Sequence, residues 1–443
     1  MGKLFRTDGV RGLANRVLTA PLALRIGAAY GTILAAQAGQ ARPRLVLGRD
    51  SRVSGDMLEA AFVAGACSAG VDVDLLGVIP TPAVAHRARS GAYQGGVMIS
   101  ASHNPVPDNG IKLFSSEGFK IADDLETRIE ELVLSDAVIE GPVGLDIGRA
   151  HTVRDAETCY IDHVVAQTPC RLDGLRVVLD CACGAAWSVA ARIFKALGAD
   201  VTVLNDEPDG ARINVACGST DLSALRKAVV ETGADLGLAF DGDADRCLAV
   251  DASGNPVNGD QMLLAFARAR EDATPKIVVA TVMSNLGLEL SLRDIGYEMR
   301  RASVGDRFVL EEMLRCGSAL GGEQSGHIIF LDAATTGDGA LTAARLAATV
   351  KAAGKPLAEL TRMPTIPQML VNVTTPRKDR LDEDAEIATA IAEVERQLAG
   401  RGRLLVRPSG TEPMVRVMAE GPDAGELEAV VSRLVALIEK NLG

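Results

Sequence analysis

The fold of this chain is decided by the segment Arg44-Leu-Val-Leu-Gly48 and by its two counterparts, Arg176-Val-Val-Leu-Asp180 and Lys276-Ile-Val-Val-Ala280. Each begins with a basic residue and continues with the β-branched and aliphatic side chains that favour strands. A segment of helical periodicity follows each one. These segments end near a glycine, as helices often do: Gly70, Gly198 and Gly296. The recurrence predicts three similar units along the chain.

Two further strands complete each unit. The second strand is predicted at 71–77, 200–205 and 297–304, and the third at 95–100, 235–240 and 318–322. Strands that alternate with helices are typical of mostly parallel sheets. We therefore predict three similar tandem α/β domains with mostly parallel mixed sheets.

The last part of the chain follows another pattern. It predicts three strands and two helices, at 368–374, 383–399, 403–407, 414–420 and 424–441. This is an α+β module, and two prolines within 362–367 indicate a linker before it. The predicted domains are 1–160, 161–256, 257–366 and 367–443.

Composition excludes several classes of protein. The chain has 443 residues and a net charge of -12, which argues against a nucleic-acid partner but leaves room for a small anionic substrate. No apolar run is long enough to predict a membrane span, and the first residues lack the apolar core of a signal peptide. The eight cysteines contain no C-x-x-C pair and are typical of reduced thiols in the cytoplasm.

The third strand of each unit ends in a loop rich in chemically active side chains. The loops are Ser100-Ala-Ser102-His103-Asn104-Pro105, Asp241-Gly-Asp243-Ala-Asp245-Arg246 and Glu323-Gln-Ser325-Gly-His327. Sites in open parallel sheets form at the carboxyl ends of the strands. The three loops are therefore expected at equivalent places in their domains.

Three carboxylates alternate along the second loop. Asp241, Asp243 and Asp245 can point the same way in an extended backbone, and hard oxygen ligands of this kind suit Mg²⁺ or Ca²⁺. An EF-hand is excluded, because its glycine and glutamate positions hold Arg246 and Ala252. A solvated acidic turn is the alternative interpretation.

Ser102 is either a nucleophile or a turn residue. It does not lie in a G-x-S-x-G elbow, which argues against an α/β-hydrolase. The neighbouring His103 cannot be assumed to reach its hydroxyl. Lys112 is either a cation for a phosphate group or a surface residue.

Two arginine-rich segments are candidate phosphate sites. Residues 407–416, RPSGTEPMVR, combine two arginines, two hydroxyls and a glycine turn, and residues 5–12, FRTDGVRG, are a similar mixture. A plain hairpin turn is the alternative for each. For Asp306 and Arg307, a surface ion pair competes with a substrate contact.

Taken together, these segments resemble the α-D-phosphohexomutases, over essentially the whole chain and in the order and spacing of that family. The resemblance implies an active site in a central cleft of four domains. It also implies an intramolecular phosphotransferase that uses Mg²⁺ and acts on a small phosphosugar. Relatives are often dimers, so a homodimer is allowed.

The resemblance also implies a role for each matching residue. Ser102 would be the phosphoserine and would share the Mg²⁺ with Asp241, Asp243 and Asp245. Residues around the transferring phosphoryl group would be Arg6, His103, Lys112 and Arg246. Glu323 and Ser325 would hold sugar hydroxyls, with His327 nearby as an alternative to Lys112 for the general base and acid. The non-transferring phosphate would be held by Arg407, Ser409, Gly410, Thr411 and Arg416.

Within the family, Gln324 and the segments 282–289 and 304–309 resemble the amino-sugar branch. Glucosamine 1,6-bisphosphate would then be the intermediate and activator. The cysteines of Cys181-Ala-Cys183-Gly184 depart from the family pattern, outside the four motifs. The alternatives are the mannose and glucose branch, a phosphosugar-binding protein without catalysis, and a serine hydrolase that uses Ser102.

Overall fold

The computed structural model of the protein describes residues 4–5, 8–38, 42–135, 140–409 and 413–443. The chain forms two compact units. The first comprises Met1–Thr281 and Arg300–Arg362, and the second comprises Val282–Met299 and Met363–Gly443.

The first sheet belongs to the first unit and has six strands. They are β1 (Val10–Leu13), β2 (Arg44–Arg49), β3 (Asp72–Val78), β4 (Gly95–Ile99), β5 (Asp108–Ser115) and β6 (Ala150–Thr152). Their order is β1-β5-β4-β2-β3-β6, and only β5 runs antiparallel to its neighbours. The accompanying helices are α1 (Ala20–Ala38), α2 (Gly55–Ser68), α3 (Thr81–Ala88) and α4 (Asp123–Leu134).

The second sheet repeats this plan with five strands. They are β7 (Arg176–Asp180), β8 (Asp200–Leu204), β9 (Leu236–Phe240), β10 (Cys247–Asp251) and β11 (Pro256–Val257). Their order is β11-β10-β9-β7-β8, with β7, β8 and β9 parallel and β10 antiparallel to β9. The helices are α5 (Ala156–Ala166), α6 (Ala190–Ala196) and α7 (Ser223–Thr232).

The third sheet has the order β13-β12-β14-β15. Its strands are β12 (Ile277–Thr281), β13 (Glu298–Ala302), β14 (Leu320–Gly322) and β15 (Ile328–Phe330). The helices of this region are α8 (Gly259–Arg268), α9 (Leu286–Asp294), α10 (Asp306–Cys316), α11 (Gly339–Ala353) and α12 (Leu357–Leu360), of which α9 belongs to the second unit.

The three polar loops occupy equivalent positions. Each follows a strand that runs parallel to a neighbour in its sheet (β4, β9 or β14) and turns back into an antiparallel strand (β5, β10 or β15). The predicted repeat is therefore confirmed. The return strands were not predicted from the sequence, and they anchor both ends of every loop in the same sheet.

The second unit contains a three-stranded antiparallel sheet of order β16-β18-β17. Its elements are β16 (Gln368–Thr374), α13 (Ala385–Leu398), β17 (Arg403–Pro408), β18 (Met414–Glu420) and α14 (Ala424–Leu442). Buried aliphatic side chains of both helices and of β16 and β18 form its core, and the partly buried Leu404 and Val406 of β17 pack against it. The predicted α+β module is confirmed.

Residues 282–299 join this sheet through buried polar contacts. Arg403 donates to the carbonyl oxygens of Val282, at 2.7 Å, and Ser284, at 2.9 Å, and it also pairs with the fully buried Glu420. Asn285 bonds both to the backbone of Ile366 and to Glu420. These contacts explain why the segment packs with residues that lie far along the chain.

Two simpler expectations concern membranes and thiols. Within the described part of the chain, every helix is too short or too polar to cross a lipid bilayer. All eight cysteines are free thiols, four of them buried.

A buried carboxyl group begins helix α11. Asp338 is 1% exposed, accepts the Leu341 N–H at 2.9 Å as the N-cap, and accepts the Tyr160 hydroxyl at 2.7 Å. Burial raises the pKa of Asp338 to about 6 from its ordinary 3.8. A raised folded-state pKa means that this group stabilises the protein at low pH and that the stabilisation is lost as pH rises through about 6.

We expect Asp338→Asn to remove this dependence. Relative to the wild type, the free energy of unfolding of the variant should rise by about 1 to 2 kcal/mol between pH 5 and pH 8, because the asparagine does not titrate. Urea denaturation at the two pH values measures the difference. Asp384→Asn is the matched control: this N-cap of α13 has a lowered pKa, because the Ile387 N–H stabilises its charged form, so it does not titrate in that window. If the free energies of unfolding of Asp338→Asn and wild type differ by the same amount at pH 5 and pH 8, Asp338 is not the group that titrates near pH 6.

Candidate active site

The serine loop places Ser102 at the end of β4 in an uncommon conformation. Ser102 is 1% exposed and has a φ of 53°, in the left-handed region that non-glycine residues rarely adopt. Its Oγ donates a hydrogen bond of 2.5 Å to Oδ2 of Asp241 and lies 3.3 Å from Nδ1 of His103. The hydroxyl therefore faces the aspartate loop of the second sheet.

The three aspartates of that loop are buried together. Asp241 and Asp243 are 0% exposed and Asp245 is 5% exposed, and each offers an oxygen within 4.8 Å of the others. The interpretation as a solvated acidic turn is therefore wrong. Oδ1 of Asp243 and Oδ1 of Asp245 are buried without a hydrogen-bond partner among the described residues.

These carboxylates fit a divalent cation. Burial, together with the nearby charges of Asp245 and Asp243, raises the pKa of Asp241 well above its usual value. Such crowding of like charges costs free energy that a bound cation offsets. The donor set consists of hard oxygens, two of them without a hydrogen bond in the described structure, which is the chemistry that Mg²⁺ prefers.

Lys112 is buried in contact with two of the aspartates. Its interpretation as a surface residue is therefore wrong. The side chain is 1% exposed, and Nζ lies 2.8 Å from Oδ2 of Asp243, 3.2 Å from Oδ2 of Asp245 and 3.4 Å from Oδ2 of Asp8. Burial alone would lower the pKa of Lys112, but these three carboxylates raise it well above its usual value. The lysine takes one oxygen of Asp243 and one of Asp245 and leaves the other oxygen of each available.

Two side chains of this site, Thr81 and Lys120, were not predicted from the sequence. Oγ1 of Thr81, at the start of α3, donates to Oδ2 of Asp243 at 2.5 Å, and the Thr81 N–H donates to the Asp243 carbonyl at 2.9 Å. Lys120 pairs with Asp8 and with Asp306. Thr81-Pro82 has the pattern of a helix start, which concealed the contact; its position after β3 was the available signal.

His103 adjoins the serine, and Arg246 adjoins the aspartates. Surrounding protein and the cations of Arg246 and Arg11 lower the pKa of His103 to about 4, so this histidine is neutral near pH 7. Nε of Arg246 is buried without a hydrogen-bond partner in the described structure and lies 3.9 Å from Oδ1 of Asp245. Arg11 donates weakly to the Ala101 carbonyl at 3.3 Å and pairs with Asp8.

The loop after β14 forms a tight turn with Glu323 and Ser325 at its tip. The Ser325 hydroxyl donates to Oε2 of Glu323 at 3.1 Å, and the Gly305 N–H donates to Oε1 at 3.1 Å. Gly326 is required here, because it has a φ of 89° and a Cβ would lie 2.1 Å from the Cys247 carbonyl oxygen. Gln324, by contrast, donates to Asp260 at 3.3 Å.

His327 is buried between two carboxylates. Nδ1 lies 3.7 Å from Oδ1 of Asp245, and Nε2 lies 3.7 Å from Oδ2 of Asp306. The Gly337 N–H donates to Nε2 at 3.0 Å, so in this arrangement the ring proton lies on Nδ1, towards Asp245. Asp306 thus belongs to this cluster, whereas Arg307 pairs with Asp123 and Glu311.

The second unit carries the other arginine-rich segment. Arg407 on β17 and Arg416 on β18 are directly opposite each other, and Ser409 at the end of β17 is 3% exposed. Burial and the Arg416 charge lower the pKa of Arg407, whose Nε is buried without a partner in the described structure. Two facing guanidinium groups favour an anion. Gly410, Thr411 and also Arg6 lie outside the described residues.

Profiles of four domain families match the chain in order. They are phosphoglucomutase/phosphomannomutase domains I, II and III, which are alpha/beta/alpha, and the C-terminal domain, at residues 2–138, 158–254, 258–366 and 370–437. The chain belongs to the phosphoglucomutase/phosphomannomutase family. The resemblance to the α-D-phosphohexomutases is thereby confirmed.

Individual members of the family are similar over nearly their whole length. A phosphoglucosamine mutase of Pelotomaculum thermopropionicum is 53% identical over 445 residues, which cover 99% of this chain and 100% of that protein. One from Rhodococcus opacus is 52% identical over 427 residues and 96% of each chain. A crystal structure of a phosphoglucomutase/phosphomannomutase family protein from Burkholderia thailandensis is 26% identical, has a TM-score of 0.83, and covers 99% of this chain and 98% of its own.

Proposed function

We propose that this chain interconverts glucosamine 6-phosphate and glucosamine 1-phosphate, the activity of a phosphoglucosamine mutase, through phosphorylated Ser102. The observation that carries the proposal is the buried Ser102 hydroxyl, 2.5 Å from Asp241 in a cluster of three aspartates. The sugar is inferred from relatives that are 52% to 53% identical over nearly the whole chain.

The proposed reaction moves one phosphoryl group off Ser102 and another back. The P–Oγ bond of phosphorylated Ser102 breaks as O1 of glucosamine 6-phosphate bonds to phosphorus, and the O1 proton leaves to a base. The resulting 1,6-bisphosphate turns end over end. Oγ then takes the 6-phosphoryl group, O6 gains a proton, and glucosamine 1-phosphate leaves.

Positioning and charge neutralisation account for most of the catalysis of phosphoryl transfer. The buried loops hold Oγ in place, and the cations of Arg246 and Lys112 face the transferring group. When bound at Asp241, Asp243 and Asp245, Mg²⁺ supplies further neutralisation and polarises the phosphoryl oxygens.

The remaining roles follow the contacts at each loop. Arg6 and His103 join Arg246 and Lys112 around the transferring phosphoryl group. Glu323 and Ser325 hold sugar hydroxyls, and the phosphate that does not react is held by Arg407, Ser409, Gly410, Thr411 and Arg416. This phosphate site must accept either end of the sugar, which favours several donors over one rigid clamp. Lys112 and His327 are the two candidates for the general base and acid.

The proposal also includes finer points. The cation is Mg²⁺, one per chain, and glucosamine 1,6-bisphosphate primes the enzyme. The protein acts in the cytoplasm, in keeping with its eight free thiols, and can form a homodimer. The domain boundaries are those after residues 160, 256 and 366.

Relative kcat/KM values test the choice of sugar. With Mg²⁺ and catalytic 1,6-bisphosphate, we expect kcat/KM for glucosamine 6-phosphate to exceed that for mannose and glucose 6-phosphates by at least about 10-fold, since a site built for a polar substituent rejects analogues that lack it. Equal or higher values for mannose or glucose phosphates would move the chain to that branch. Binding of these sugars without turnover would indicate a phosphosugar-binding protein. Acylation of Ser102 by a serine-directed inhibitor, without need for a metal, would indicate a hydrolase.

A further inference from the structure

A buried arginine lies beneath the serine loop. Arg52 follows β2 in the segment Gly48-Arg-Asp50-Ser51-Arg52, and its side chain is 0% exposed, as is that of Asp50. The end of β2 lies beside the end of β4, because these strands are parallel neighbours. Arg52 therefore enters the loop that carries Ser102 from its buried side.

All five N–H donors of Arg52 have an acceptor. Nε bonds to Oδ2 of Asp50 at 3.0 Å, and the other four bonds go to backbone carbonyl oxygens of the serine loop. These are Pro105 at 2.7 Å and Asp108 at 3.0 Å from Nη1, and Ser102 at 2.8 Å and Asn104 at 2.7 Å from Nη2. One planar guanidinium thus joins four carbonyl groups of residues 102–108 at fixed angles.

The peptide groups on both sides of Ser102 are held by side chains. The Ser102 carbonyl accepts from Arg52 and also from Nδ2 of Asn214 at 2.9 Å. The Ser102 N–H donates to Oγ of Ser100 at 2.8 Å, and that hydroxyl donates to Oδ2 of Asp50 at 2.6 Å. Asp50 and Arg52 together therefore fix the backbone before and after the serine.

This arrangement explains how Ser102 keeps its φ of 53°. A left-handed conformation is unfavourable for serine and persists only where the surroundings impose it. In the ordinary regions of φ and ψ, the side chain would leave Cα in another direction, away from Asp241. Because phosphoryl transfer depends on position, the conformation of this one residue matters for the rate.

We infer that Arg52 is a positioning residue for phosphoryl transfer, which holds Ser102 in the left-handed conformation that points Oγ at the three aspartates. The inference rests on the proposed function, since it assigns Arg52 an effect on the reaction of Ser102. Its rival is a purely structural role, in which the buried pair with Asp50 only stabilises the fold.

Two variants separate these roles. Arg52→Lys keeps the charge beside Asp50 but loses the planar set of donors. Asn214→Gly removes the second donor to the Ser102 carbonyl and tolerates the φ of 59° at that position. Arg345→Lys is the matched control, because Arg345 is also buried, bonds to the Gln167 carbonyl and to Asp332, and lies outside the site.

The measurements are kcat and KM with glucosamine 6-phosphate, the single-turnover rate of phosphoryl transfer from Ser102, and the melting temperature. For Arg52→Lys we expect kcat and the single-turnover rate to fall by about 100-fold, as misplacement by about 1 Å can cause, with KM within about threefold of wild type. For Asn214→Gly we expect a fall of about 10-fold. Arg345→Lys should keep the wild-type rate whatever its melting temperature.

The inference is overturned if folded Arg52→Lys transfers phosphate within twofold of the wild-type rate, or if its loss equals that of the control at a similar melting temperature. If Arg52→Lys does not fold, Asn214→Gly decides, and a wild-type rate for it overturns the inference. A wild-type protein that neither turns over phosphohexoses nor carries phosphate on Ser102 would instead refute the proposed function.

Discussion

Ser102→Ala is expected to abolish mutase turnover, with a loss on the order of 10⁵-fold or more, as removal of a covalent nucleophile causes elsewhere. The physical reason is that the proposed cycle has no other group to carry the phosphoryl between O1 and O6. Ser102 is also the serine whose Oγ bonds within the aspartate cluster. Coupled turnover assays measure the loss, and mass spectrometry of the peptide around residue 102 should find phosphate on the wild type alone.

Ser116→Ala is a suitable control for this experiment. Ser116 is an exposed serine in the turn after β5, so the same exchange removes a hydroxyl outside the site. It should leave both the rate and the phosphate on Ser102 at wild-type levels. Substantial mutase activity in Ser102→Ala, with wild-type folding, would rule out the phosphoserine cycle.

The second large effect is expected from Asp243→Asn. The exchange preserves shape, but it neutralises the carboxylate that accepts from Lys112 and Thr81 and that offers a free buried oxygen. We expect the Mg²⁺ concentration for half-maximal activity to rise, and activity at wild-type Mg²⁺ levels to fall, by at least about 100-fold, the upper range for changes to groups that only orient metal ligands.

Titration with Mg²⁺ gives a readout that does not need turnover. Mg²⁺ should raise the melting temperature of the wild type much more than that of Asp243→Asn, because a ligand stabilises the folded state that binds it. Asp206→Asn, an exposed aspartate after β8, is the control and should respond like the wild type. Equal Mg²⁺ responses of Asp243→Asn and wild type would place the cation elsewhere.

The sequence predicted the elements whose signals are local. The runs at 44–48, 176–180 and 276–280 are continuous aliphatic segments bounded by turns, and they became β2, β7 and β12. Strands 368–374 and 414–420 were predicted at the bounds they have in the structure. Strand β5 was missed, because Asp108-Asn-Gly110 at its start has the composition of a turn.

The site was predicted where several active side chains share one short loop, as at Ser102 and the aspartates. It was missed where a single residue reaches in from another loop. Thr81 and Lys120 stand alone among ordinary neighbours, and Arg52 has the pattern of a turn residue after a strand. Their importance comes from burial and from partners at least 50 positions away, which periodicity and composition do not encode.

The burial of Lys112 is another feature that local sequence patterns did not predict. Its neighbours on β5 give no sign that a charged side chain points inward, and only the carboxylates of Asp243, Asp245 and Asp8 make that position tolerable. The charge balance belongs to the folded structure, and no local window of sequence contains it.

The discontinuous second unit also has a consequence for synthesis on the ribosome. Residues 282–299 are made early, yet the Arg403 side chain that bonds to the Val282 carbonyl comes 121 residues later. At about 5–20 residues per second, this segment waits roughly 6 to 24 s for its partner. Until then, the Val282 and Ser284 carbonyl groups and the Asn285 side chain lack the Arg403 and Glu420 partners that they have in the second unit. During this period the second unit is incomplete. Chaperone binding to the nascent chain, or its slower release from the ribosome, would therefore favour correct assembly of that unit.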